Sequence, residues 1–152
     1  MVEALLAYAH ITAILALVVF LTSEAALCRS QWLNAAVVHR LVKVDILYLS
    51  AAVLVLLTGF ARTWWGVKGF AWYWHQDLLW LKVGGYGLIA LLSSRPTMAF
   101  LRWRRDLESS GTLPDAADIQ RVRRMVLIEA HLLMLIPLAA ALLARGAGHR
   151  LF

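Results

Sequence analysis

A chain of 152 residues that is 62% hydrophobic and only 16% charged, with a mean hydropathy of +0.72, is too apolar for an ordinary soluble domain, and lipid is its expected solvent. Four spans of ~20 residues each fill so much of this length that the chain reads as one domain over residues 1–152, with no separate soluble unit. The net charge of +6 does not point to nucleic acid, because the basic residues gather at the ends of apolar runs, where anionic headgroups attract them.

The first apolar run, Ala4 to Ser23, carries no formal charge and predicts a spanning helix over residues 4–27. Glu3 precedes it and no Lys or Arg does, which is not the pattern of a cleaved signal; Leu27 before Cys28 also spoils a lipoprotein cleavage site. The run is therefore expected to stay in the mature protein. Cys28 is the single cysteine, so neither a disulfide framework nor a CxxC pair is available. Further spans are predicted over residues 44–61, 78–94 and 125–144.

Between the second and third spans, Trp64, Trp65, Trp72, Tyr73 and Trp74, with Trp80 just beyond, suit the headgroup level. Gly84, Gly85 and Gly87 allow close approach of a flat ligand or of another helix, within the subunit or in a homo-oligomer. Pro96 is read as opening a helix beyond the third span, and Ser109 to Pro114 as breaking it. Asp115 and Asp118 ahead of Arg121, Arg123 and Arg124 then start a helix that runs into the fourth span, which Pro137 is expected to kink. The expected fold class is all-α, an integral membrane four-helix bundle with a cytoplasmic helical hairpin extension between helices 3 and 4.

Charge asymmetry orients this bundle. Of the 15 Lys and Arg residues, seven lie from Arg95 to Arg124, and Arg29, Arg40 and Lys43 flank the first loop. Arg62, Lys68, Lys82, Arg145 and Arg150 fall on the other side. The positive-inside rule predicts basic loops in the cytoplasm and both termini in the periplasm of a bacterial inner membrane.

Ionisable residues within spans usually face the bundle interior, and here they form two groups separated by depth. The outer group holds His10, Arg62, Lys68, His75, Asp77 and Lys82; the inner holds Glu24, Lys43, Asp45, Glu129 and His131, with His39 in the adjoining loop. His10 and Glu24 differ by only ~40° around helix 1 while lying ~21 Å apart along it, so they mark the ends of one polar face. For the outer group, one reading is a non-covalent haem or porphyrin site, with His10 and possible second ligand His75 on iron and Arg62, Lys68 or Lys82 beside the propionates. The other is an interfacial hydrogen-bond network with snorkelling cations. For the inner group, a proton-transfer or metal cluster competes with simple pairing of Glu24, Asp45 and Glu129 to Arg29, Arg40, Lys43, Arg95 or Arg124. Glu129 and His131 sit ~200° apart on their helix and cannot both face one metal.

His10 and Glu24 in helix 1, Arg40 with Asp45, Thr58-Gly59-Phe60-Ala61-Arg62, Lys68-Gly69, Trp80-Leu81-Lys82, Ser94-Arg95-Pro96-Thr97, Trp103-Arg104-Arg105 and Ala144-Arg145-Gly146 follow one another along nearly the whole chain. This order resembles the bacterial membrane family catalogued as domain of unknown function 2214, a resemblance that implies a fold and no activity. More remotely, the placement of His10 and Lys82 is similar to the HemJ-type four-helix membrane protoporphyrinogen oxidases, which implies haem b and those two residues at its site. Two functions are therefore carried forward. One is a haem b or porphyrin protein acting in electron transfer or porphyrin oxidation, with a quinone or another redox membrane protein as partner. The other is a non-enzymatic scaffold, transport or assembly component whose buried charges serve packing or proton and ion passage.

Overall fold

Long Leu-, Ala- and Val-rich stretches with few breakers favour helix throughout, and capping residues decide where each helix stops. The computed structural model describes residues 1–65 and 77–144. Among them are four helices: α1 (Val2–Leu27), α2 (Ala35–Trp65), α3 (Asp77–Ser110) and α4 (Ala116–Ala144). The Asn34 side chain accepts the Val37 N–H at 3.0 Å, which starts α2 well before the apolar run at 44–61. Gly111 ends α3 at φ 68°, a left-handed conformation that a side chain would strain. Asp115 then accepts the Asp118 N–H and opens α4.

One expectation is corrected in α3. Pro96 does not open a new helix; α3 continues through it to Ser110. The ring removes the N–H that would reach the Leu92 carbonyl, yet it is fully buried against neighbouring helices, whose packing keeps the chain helical. Pro137 likewise lies inside α4.

Each helix runs antiparallel to the two it touches. His10 meets Thr58 and Cys28 meets Ile119, while Tyr48 and Glu129 both meet Ser93. These pairs order the helices α1, α2, α3, α4 around a ring that closes between α4 and α1, with α1 against α2 the most extensive contact. Beyond the end of α1, α3 and α4 continue as an antiparallel pair. Asp118 holds this pair by accepting the Trp103 indole N–H at 2.8 Å and pairing with Arg102 and Arg121. Gly85 lets α3 approach Ile136 of α4, whereas Gly84 and Gly87 face outward.

α1 and α2 are long and apolar enough to cross a bilayer, and only 17% and 22% of their most apolar windows are buried. A soluble core helix would show the reverse. Their outward side chains, among them Leu15, Val19, Val53 and Leu57, continue into Leu88 and Leu91 of α3 and Met134 and Leu138 of α4. So broad an apolar surface is stable against lipid and not against water.

Candidate functional site

The helices bury their inward faces with helical periodicity, and the polar centre consists of the members of those faces that are not apolar. α1 turns Leu17, Leu21 and Glu24 inward, with Cys28 buried just past its end; α2 turns Leu41, Asp45, Tyr48 and Val55; α3 turns Ile89, Ser93, Pro96 and Phe100; and α4 turns Val122, Val126, Glu129 and Leu133. Glu24, Asp45 and Glu129 are thus 1%, 3% and 2% exposed, as deep as the leucines around them.

Hydroxyl groups partner two of the three carboxyls. Thr97 donates to Asp45 Oδ1 at 2.8 Å, and Ser93 lies 2.9 Å from Glu129 Oε2. Tyr48 Oη lies 2.8 Å from Ser93 Oγ. Glu24 Oε1 and Glu129 Oε1 are buried without a hydrogen-bond partner. The three carboxyls are close enough to act on one another electrostatically. Among the described residues, the ion pairs lie instead on the α3–α4 hairpin, at Arg102–Asp118, Arg104–Glu108 and Arg121–Asp118. The cations expected to hold Glu24, Asp45 and Glu129 do not reach them.

Two members of the expected inner network also stand apart from it. Lys43 and His131 are exposed, the latter with its ring Nδ1 2.6 Å from the Leu127 carbonyl. Each sits two positions from a buried carboxyl, ~200° around its helix, so it turns away as that carboxyl turns in. Among the described residues, no three His, Cys, Asp or Glu side chains are grouped so as to hold a metal ion. Sequence pattern alone could have found the hydroxyl partners: Ser93 and Thr97 are four apart, and Asp45 and Tyr48 three apart, each pair on one helix face. Uncharged and common in apolar helices, they gave no hydropathy signal.

At the other end of α1, His10 is half-buried and its Nδ1 lies 2.8 Å from Thr58 Oγ1. Thr58 places its own hydroxyl hydrogen on the Leu54 carbonyl at 2.6 Å. It therefore accepts from His10 Nδ1–H, and in the neutral ring Nε2 becomes the acceptor atom. Gly59 makes room: a Cβ there would lie 3.3 Å from His10 Cε1. Arg62 is exposed in the last turn of α2. Lys68 and His75, and the side chains of Asp77 and Lys82, lie outside the described residues.

At the basic end, burial pushes the Cys28 thiol up to about 12, with Arg123 opposing the shift. The thiol contacts the Ile119 carbonyl and serves packing between α1 and α4.

The family model described as "Predicted membrane protein (DUF2214)" matches residues 2–148. The chain belongs to this family. For this DUF2214 protein, the family's description as a membrane protein agrees with the outward apolar faces of α1 and α2. No curated protein and no solved structure matches it.

Proposed function

We propose that this protein passes protons through the membrane, using the carboxyl groups of Glu24, Asp45 and Glu129 as stations and the hydroxyls of Ser93, Tyr48 and Thr97 as links between them. The observation that carries this reading is the burial of three carboxyls, one from each of three helices, with no cation paired to them among the described residues. Three uncompensated negative charges in apolar surroundings would cost several kcal/mol or more, so such a centre is suited to taking up positive charge. Protons are the form that needs no larger ligand set. The basic end, with Arg29, Arg40, Lys43 and the α3–α4 hairpin, faces the cytoplasm of a bacterial inner membrane in this reading, and both termini face the periplasm.

The test is proton flux into liposomes that hold the purified protein and an entrapped pH-sensitive dye, driven by a potassium diffusion potential. The expected outcome is a several-fold faster dye response than in protein-free liposomes, returning to the protein-free rate in Glu129→Gln and Asp45→Asn at equal incorporation. Flux equal to that of empty liposomes, for the wild type at every pH and either sign of potential, would sink the reading.

A second reading places haem b or another porphyrin at the aromatic end, for electron transfer or porphyrin oxidation with a quinone or a redox membrane protein as partner. His10 favours it, because Thr58 holds its Nδ1 in the way a second partner orients a metal-ligating imidazole. His75 would be the second ligand and Arg62, Lys68 or Lys82 would face the propionates. A Soret band in protein expressed with ample haem, lost in His10→Ala, is the expected result; a colourless preparation overturns this reading.

A further inference from the structure

Ser93 has one hydroxyl hydrogen and two acceptors within reach, the Ile89 carbonyl at 2.8 Å and Glu129 Oε2 at 2.9 Å. Tyr48 Oη lies 2.8 Å from the same Ser93 oxygen. A hydroxyl offers one donor and two lone pairs, so which acceptor it serves depends on what its neighbours donate. When Glu129 is ionised it can only accept. Ser93 then gives its hydrogen to Oε2, and Tyr48 donates to Ser93. When Glu129 carries a proton on Oε2, it donates to Ser93, which must turn its hydrogen to the Ile89 carbonyl while still accepting from Tyr48. Both arrangements leave the Ser93 and Tyr48 hydroxyls and Glu129 Oε2 partnered, and Tyr48 is the donor in both.

We infer that Ser93 is a positioning residue that reports the proton on Glu129 to the backbone of α3, by turning its hydroxyl between the Glu129 carboxyl and the Ile89 carbonyl. This rests on the proton-passing reading above. The place it acts on is suited to respond. A serine hydroxyl bonded to the carbonyl four residues back loosens and bends a helix, and Pro96, less than one turn further on, has already removed the helical partner of the Leu92 carbonyl. The titratable groups turned toward Glu129 are Glu24 from α1 and Asp45 and Tyr48 from α2; α3 contributes the hydroxyls of Ser93 and Thr97.

The test is infrared difference spectroscopy of the full-length protein in lipid as pH is stepped, with the carboxylic C=O band of Glu129 identified by its loss in Glu129→Gln. The band is expected to move in Ser93→Ala, to move in Tyr48→Phe, and to keep its position in Ser93→Thr, which retains a hydroxyl. Ser94→Ala is the control, since Ser94 bonds only the Leu91 carbonyl of its own helix. A Glu129 band that stays put in both Ser93→Ala and Tyr48→Phe overturns the switch and leaves the proton reading standing. Absence of any Glu129 band across the titration overturns both, and the liposome flux shows independently whether the proton reading has failed.

Discussion

Glu24 is the buried carboxyl for which no hydrogen bond or ion pair is formed among the described residues, and this changes what its removal does. Breaking a buried ion pair costs about 3–5 kcal/mol because the partner is left stranded. Glu24 has no such partner to strand. Glu24→Gln should therefore hold or raise the melting temperature in detergent, and a fall of several degrees would reveal a cation at this site. Asp45→Asn retains an oxygen for Thr97 and should be close to neutral by the same measure. That these carboxyls face inward was legible, because a charge in an apolar run has few other places to go. Their missing counter-ions were not. Charge counting places cations at the right depth but cannot tell that Lys43 turns away from the centre that Asp45 enters.

At the scale of elements, hydropathy and helix structure report different things. The apolar run at 44–61 marks the part of α2 suited to lipid, while the Asn34 cap sets where the helix begins, nine residues earlier at Ala35. His39, expected in a loop, therefore sits on a formed turn of helix with Arg40 and Lys43. Pro96 carries the same lesson with opposite sign. Its local preference for a first-turn position was legible, but burial of its ring in the packed bundle overrides that preference. The break at Gly111 and the start at Asp115 were readable because both depend on chemistry within a few residues.

For the whole molecule, the antiparallel ring follows from short connections between successive helices, and the orientation proposed for it in the bilayer rests on charge. Reporter fusions test the second point. A periplasm-active reporter placed after Phe152 should be active and the same reporter inserted between Ser109 and Thr112 silent, with a cytoplasm-active reporter giving the opposite pattern. Reversal of both pairs would turn the bundle over, leaving the contacts among its helices as they are and exchanging the compartments its two ends face.

The polar centre draws a member from every helix, and this bears on the order in which the protein can be made. As synthesis proceeds from the N-terminus, α1 and α2 reach the membrane carrying Glu24 and Asp45 before Thr97, Ser93 and Glu129 exist to join them. An early hairpin released into lipid at that stage would hold both carboxyls outside the packed bundle, with Asp45 yet to meet Thr97. That cost favours its retention by the insertion machinery until α3 and α4 arrive. A truncated chain lacking α4 would leave Ser93 without Glu129, and it is expected to be degraded faster than the full chain in a pulse-chase measurement.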